Sequence, residues 1–297
     1  MWQQQLTEIK QGNNKTLARC ISLIENEAQG YENLLEQLPF SNTPVIGITG
    51  PPGAGKSTLV DALIALLIAD EKKIAVLCVD PSSPFNLGAL LGDRIRMSEW
   101  YNNANVFIRS LATRGSLGGL HPKIIEISDL LKAAPFDYII VETVGVGQSE
   151  VEIAGLADVT VVVVVPEAGD EVQTMKAGLM EIADVFVVNK ADRPDADTFV
   201  KNLRLMLAPS FSNKTIPVPV LKTSASQKKG IDELLDVIIS IKNKMPNNKQ
   251  HLWLLAEKAF QLIEQKRMKD VSKEELKNKI VTEGNTFNLY KFIKKYY

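Results

Sequence analysis

The residues whose types and spacing promise chemistry begin at Gly50-Pro51-Pro52-Gly53-Ala54-Gly55-Lys56-Ser57-Thr58, where Gly50–Ser57 fits G-x-x-x-x-G-K-[ST]. Gly53 and Gly55 let the backbone curl so that successive N–H groups face a chain of phosphates. The helix that follows adds the positive end of its dipole. Lys56 is placed to act on the β- and γ-phosphates, and Ser57 to ligate magnesium. A second constellation, Asn189-Lys190-Ala191-Asp192, suits a guanine base. The Asp192 carboxylate can accept from N1–H and the exocyclic amine. Adenine offers no donors there, so a buried Asp192 would reject ATP through an unpaired charge. Lys190 would cover the base with its stem, and Asn189 would tie this loop to the phosphate loop. Thr223-Ser224-Ala225 is either a further support for the base through backbone groups or a plain turn. The ligands implied are GTP or GDP with Mg2+.

Three further stretches bear on metal and catalysis. Glu142-Thr143-Val144-Gly145 follows an apolar run, where P-loop enzymes place an acidic residue near magnesium and a glycine whose N–H senses the γ-phosphate. Asp80 ends another apolar run and is a second metal-side candidate; as a turn or cap residue it would be equally at home. Gly88–Met97 carries Asp93, Arg94 and Arg96. It reads either as a mobile switch, with Asp93 and Arg96 as catalytic candidates, or as a charged helix start. Arg109 and Arg114 are candidates for an internal arginine finger, or are solvated charges. Asp170 and Lys176, beyond the run Val159–Val165, are switch candidates or plain surface. No Ser/His/Asp triad or Cys/His pair stands out, and phosphoryl transfer requires neither.

These motifs need a scaffold that brings loop ends together. Val45–Ile48, Ile74–Val79, Tyr138–Val141, Val159–Val165 and Val185–Val188 are continuous apolar runs rich in β-branched residues. Continuous rather than alternating patterns predict strands buried on both faces, hence a mostly parallel sheet between helices. Pro217–Val220 is a weaker strand, fit only for an edge or a strand end. Every motif falls at a strand's carboxyl end, where such sheets bind ligands. The predicted class is an α/β P-loop NTPase with N- and C-terminal helical extensions. Residues 1–40 read as helical, with Gly30 as a break, 41–245 as the GTPase domain, and 246–297 as a C-terminal helical extension. Ser272-Lys273-Glu274-Glu275 matches a capping box. The stripe Leu252, Leu255, Ala259 and Leu262 is core of its own domain, a dimer seam or a membrane-surface helix.

Whole-chain numbers narrow the classes. Over 297 residues the net charge is -1, so no global basic field exists to hold nucleic acid or an anionic membrane. With 2 Cys and 2 His, a Cys/His zinc or nickel cluster lacks ligands, which weighs against a nickel-delivery GTPase; Cys20 and Cys78 read as buried thiols. No signal-peptide pattern opens the chain, and the longest apolar run is far shorter than the ~20 residues of a membrane span. A soluble cytoplasmic protein is expected. A non-hydrolysing nucleotide sensor and a small-molecule kinase remain as other readings, the kinase without an identifiable acceptor base.

Gly50–Ser57, Val79–Ser83, Leu91–Met97, Glu142–Glu150 and Asn189–Asp192 together resemble one family, the MeaB/ArgK-like GTPases associated with methylmalonyl-CoA mutase. Order and spacing match across roughly residues 40 to 245. Glu142–Glu150 discriminates best, since generic GTPases have Asp at its start and diverge after the glycine. The resemblance implies a GTP-hydrolysing chaperone that gates adenosylcobalamin delivery to a mutase, methylmalonyl-CoA mutase or a related acyl-CoA mutase, and protects it. It implies a homodimer built through the C-terminal helices. It places Asp93 and Arg96 in a first switch, Glu142 near magnesium, and Gly169 to Lys176 in a switch that senses the partner. The tail Val271–Tyr297 departs from the pattern. Some members carry an older label as transport-system ATPases or kinases; Asp192 argues against ATP.

Overall fold

The computed structural model describes residues 2–81, 97–114, 120–145, 151–166, 177–207, 217–244, 249–268, 271–284 and 287–296. The switch candidates Asp93, Arg96, Gly169, Asp170 and Lys176, and Val146–Glu150 of the discriminating stretch, lie outside them. Met1–His251 and Leu252–Tyr297 are two compact units.

In the first unit seven strands form one sheet in the order β3-β2-β4-β1-β5-β6-β7. They are β1 (Val45–Thr49), β2 (Ile74–Asp80), β3 (Val106–Ala112), β4 (Tyr138–Glu142), β5 (Val159–Val164), β6 (Val185–Val188) and β7 (Val220–Lys222). Every pairing is parallel. β1, β2, β5 and β6 are buried at every position, which is why their sequences do not alternate. The chain runs outward from β1 through β2 to β3, returns to β4, and crosses to β5 on the other side. The direction therefore reverses around β1, and the loop after β1 opens at that switch point.

Two features depart from the expected elements. β3 is a full edge strand that no apolar run announces, because Arg109 and Ser110 interrupt it and its middle is only half-buried. The proline-flanked strand is Val220–Lys222, the opposite edge, with Pro219 lending only its carbonyl to Phe186 N–H at 2.9 Å. At the sheet's other end, three aspartates each stand one residue before a strand and cap a neighbour's N–H. Asp137 accepts from Lys73, Asp158 from Val45 and Asp184 from Thr160, at 2.7, 2.7 and 2.8 Å. Charge-assisted caps of this kind pin the register of parallel strands whose first N–H groups would otherwise be unpaired.

The helices of this unit are α1 (Trp2–Lys10), α2 (Asn14–Glu25), α3 (Tyr31–Leu35), α4 (Lys56–Ala69), α5 (Ile124–Lys132), α6 (Val151–Leu156), α7 (Ala177–Ile182), α8 (Ala196–Met206) and α9 (Ile231–Lys244). The N-terminal run is thus three helices, broken after Lys10 as well as near Gly30. Asn13 caps α2 by accepting from Lys15 and Thr16 N–H at 3.1 Å. α4 buries Leu59, Val60, Ala62, Leu63, Ile64 and Leu67 in the main core with Ile46, Ile48, Val161 and Val187. Truncating Leu63 to Ala there costs about 2–5 kcal/mol by the usual cavity argument. Gly47 lets α6 press onto β1: a Cβ would meet Ile153 Cγ1 at 2.6 Å and Ala157 Cβ at 2.9 Å. Cys20 and Cys78 are buried free thiols, and burial pushes Cys20 up to about 11.

The second unit holds most of α10 (Lys249–Arg267), with α11 (Lys273–Glu283) and α12 (Leu289–Ile293). Ser272 caps α11 by accepting from Glu275 N–H at 3.0 Å, as the capping-box pattern requires. Phe292 is buried between Phe287 and Tyr296, whose ring centroids lie 5.6 and 5.5 Å away. Leu252, Trp253, Leu255, Phe260 and Ile263 of α10 are exposed in the single chain. No helix among the described residues is long and apolar enough to cross a membrane.

Candidate functional site

The loop after β1 turns on three glycines in the left-handed half of backbone space, Gly50, Gly53 and Gly55, with φ 136, 77 and 87°. A Cβ at Gly50 would overlap the Val163 carbonyl, and one at Gly55 the Asn189 amide. Only glycine fits both the torsion and the space. α4 begins at Lys56 immediately afterwards, so its N-terminus opens onto the loop. Lys56 is buried, and its ammonium donates to the carbonyls of Gly50 at 2.9 Å and Pro51 at 3.2 Å. Gly145, at φ 81°, faces that ammonium; a Cβ there would collide with it and stand 2.5 Å from Gly50 O. The loop after β4 is thereby seated directly on the phosphate loop. A hydroxyl pair strengthens the seat, Thr49 Oγ1 and Thr143 Oγ1 being 2.9 Å apart and buried.

Ser57 Oγ donates to Glu142 Oε1 at 2.7 Å, and both residues are buried. Cys78 pairs with Glu142 in register, and Cys78 packs in the core under α4. Asp80 is two residues beyond Cys78 on the same strand face, so both carboxylates stand on the α4 side. Asp80 is buried at the end of β2. A hydroxyl and two carboxylates at adjoining strand ends make a set of hard oxygen donors, which fits magnesium's demand for oxygen ligands and few protein groups. Among the described residues no group of three or more His, Cys, Asp or Glu could hold a metal, so Cys20, Cys78 and His121 form no nickel or zinc cluster there.

At the other end of the loop Asn189 bridges two segments. Its Nδ2 donates to Ala54 O at 3.0 Å and Gly55 O at 3.5 Å. Its Oδ1 accepts from Thr223 Oγ1 and Ala225 N–H, each at 3.1 Å. Lys190, at φ 56°, lays its stem along the loop and donates to Gly53 O at 2.7 Å. Asp192 Oδ1 accepts from Ser224 Oγ at 2.7 Å. That bond, then one from its own backbone, holds the carboxyl below the usual aspartate range. Asp192 is exposed, not buried. The expectation of a buried Asp192 is thus not met: the carboxylate is held in place by Ser224 but open to solvent. Within Thr223–Ala225, Ser224 Oγ orients Asp192 and the Ala225 N–H orients Asn189. Thr49 carries no motif signal, and Thr143 and Thr223 figure in the sequence only as members of their stretches, because a threonine at a strand end does not announce its side-chain partner.

Arg109 and Arg114 are both turned toward the end of α2. Arg109 reaches Ser22 Oγ at 3.0 Å and pairs with Glu25; Arg114 donates to Glu25 O at 2.5 Å. They are neither plain solvated charges nor directed at the phosphate loop.

Residues 17–284 match the family model described as methylmalonyl Co-A mutase-associated GTPase MeaB. The chain belongs to this family of MeaB/ArgK-like P-loop GTPases. GTPase ArgK of Escherichia coli is 40% identical over 252 residues, covering 81% of this chain and 76% of ArgK. A fused isobutyryl-CoA mutase of Geobacillus kaustophilus is 36% identical over 257 residues, which cover 81% of this chain and 24% of that protein. Among solved structures, a LAO/AO transport system kinase superposes with TM-score 0.71 at 27% identity, over 99% of this chain and 95% of that one. The MeaB match reaches Gly284, so the first part of the tail beyond Val271 lies within the family pattern after all.

Proposed function

We propose that this chain binds GTP with magnesium, hydrolyses it, and uses the cycle to gate adenosylcobalamin delivery to an acyl-CoA mutase of the methylmalonyl or isobutyryl type. The nucleotide part is carried by Asn189, which joins the base corner to the phosphate loop through Ala54. The mutase part is supported by the family and by the relative in which a matching stretch belongs to a protein named as a fused mutase.

Magnesium, when bound, supplies charge neutralisation on the β- and γ-phosphate oxygens. Ser57 and Glu142 would hold it, with Asp80 at the adjoining strand end. Lys56 would exchange its loop carbonyls for phosphate oxygens and stabilise charge on the transferred group. Gly145 N–H would meet the γ-phosphate. Asp192 would accept from guanine, with Lys190 over the ring and Ser224 holding the carboxylate in place. Asp93 and Arg96 are proposed for the first switch and Gly169 to Lys176 for the partner-sensing one, both on family resemblance. The exposed apolar residues of α10 support a homodimer seam.

Purified protein should turn over GTP slowly and ATP more slowly still, with addition of the mutase accelerating GTP turnover. Faster ATP hydrolysis would overturn the guanine assignment. A pull-down with an adenosylcobalamin-dependent mutase, with and without a non-hydrolysable GTP analogue, tests the chaperone role; association indifferent to nucleotide would remove that role and leave the GTPase standing. Sedimentation as a monomer at every concentration would remove the dimer.

A further inference from the structure

Three cations from the region around β3 and α5 converge on one short turn of the N-terminal helices. The turn runs from Glu25, the last residue of α2, to Tyr31, the first of α3. Arg109, in the middle of β3, pairs with the Glu25 carboxylate and donates to Ser22 Oγ at 3.0 Å. Arg114, two residues past β3, donates to Glu25 O at 2.5 Å and Asn26 Oδ1 at 3.3 Å. Lys123, immediately before α5, pairs with Glu27 at 2.8 Å and donates to Tyr31 Oη at 3.0 Å. The negative end of the α2 dipole favours the two arginines. Both ends of the connection between β3 and α5 are thus tied to the same seven-residue stretch, Glu25 to Tyr31.

The backbone marks the same place. Glu27 and Arg114 are non-glycine residues at φ 48 and 47°, a region such residues occupy only where their surroundings over-determine it. Arg114 follows Thr113, whose N–H donates to Asp80 O at 3.0 Å, and Ala112 pairs with Asp80 in register. Two hydrogen-bonded contacts and the Thr113–Arg114 peptide link therefore join the α2 end to the strand terminus that carries Asp80.

We propose that the Glu25–Tyr31 turn is a positioning element of the hydrolytic site, setting the place of Asp80 at the metal edge through Arg114 and Thr113. The proposal rests on the GTPase reading above and on Asp80 lying at its metal side. Arg114 is exposed and Asn26 lies in a turn, so both can be changed with little risk to folding.

The test uses the full chain with Arg114→Ala, Arg114→Lys, Asn26→Ala and Glu25→Gln. Loss of a supporting shell commonly costs about tenfold or more in metal affinity or rate. Arg114→Ala is expected to raise the Mg2+ concentration for half-maximal GTP turnover and to lower kcat, each by about that factor, while GDP affinity stays within about twofold. Asn26→Ala should shift the same two quantities in the same direction, Glu25→Gln, which keeps the carbonyl that Arg114 uses, should shift them less, and Arg114→Lys should recover part of the loss. Unchanged Mg2+ dependence and kcat in all variants overturn the proposal. So does a parallel fall of Tm, GDP affinity and rate, which marks a structural staple. An effect confined to Arg114→Ala also overturns it, since Arg114 would then act directly. If the wild type binds GDP yet hydrolyses no GTP, the GTPase reading has failed instead; the Mg2+ dependence of GDP release in the same variants then decides the positioning role.

Discussion

At the base corner of the site, Asn189 holds Ala54 and Gly55 with its amide nitrogen and receives Thr223 and Ala225 with its oxygen, while Ser224 fixes Asp192. These bonds join protein to protein, and on the proposed function none would have to break for guanine to bind. At the phosphate corner, Lys56 donates to Gly50 and Pro51 carbonyls and Ser57 donates to Glu142. Those are the same polar atoms that phosphate and magnesium chemistry would use. One corner is organised in advance; the other must exchange partners. On the proposed function this difference would suit a slow switch, with recognition organised in advance and hydrolysis requiring rearrangement.

Substitutions can break this contrast, and the largest effect is expected at the phosphate corner. Lys56→Ala should lower single-turnover GTP hydrolysis by about 100- to 1000-fold, as removal of one preorganised charge stabiliser does. Equal hydrolysis by the variant would show that Lys56 belongs only to the loop's own architecture. Next is Gly145→Ala, whose methyl would press on Lys56 and the Gly50 carbonyl at 2.5 Å. Hydrolysis should fall by about 100-fold with GDP affinity little changed if, as proposed, Gly145 N–H meets the γ-phosphate. A matching loss of GDP affinity would mean that the two corners are not separable.

At the base corner, Asp192→Asn should weaken GTP binding by about 10- to 100-fold and narrow the preference for GTP over ATP, measured by competition. An unaltered preference would move guanine recognition elsewhere. The smallest effect belongs to Ser224→Ala. The Ser224 bond keeps the Asp192 carboxyl below the ordinary aspartate range. Asp192 therefore stays ionised as pH falls through that range, and loses its charge only below it. Removing the hydroxyl should raise the acid midpoint of Asp192, read from its carboxyl carbon by NMR, and move the acid loss of GTP binding upward with it. A midpoint that stays put would assign the lowering to backbone contacts.

Much of the contrast could be read from the chain in advance. Strands buried on both faces write themselves as unbroken β-branched runs, so β1, β2, β4, β5 and β6 were legible, and the phosphate loop and Asn189–Asp192 fell at their ends. β3 was not, because its Arg109 serves a helix 84 residues earlier and disguises the strand as a polar segment. The exposure of Asp192 was not legible either, since burial depends on what the fold stacks over a loop. The Asp137, Asp158 and Asp184 caps also escaped, because a single aspartate before a strand looks like any turn residue.

Residue order alone determined the nucleotide chemistry: glycines where the backbone must turn left-handed, a lysine and serine at a helix start, an acceptor set three residues past an asparagine. Such motifs act through local geometry, which few neighbouring residues suffice to specify. The tertiary structure decided what those groups lean on. Ser57 meets Glu142 across 85 residues, Lys56 meets Gly145, Thr223 meets Asn189, and Arg114 meets the end of α2. Each is a contact between segments distant in the chain, made only when parallel strands bring their carboxyl ends to one edge, and no local pattern encodes which side chain will stand opposite.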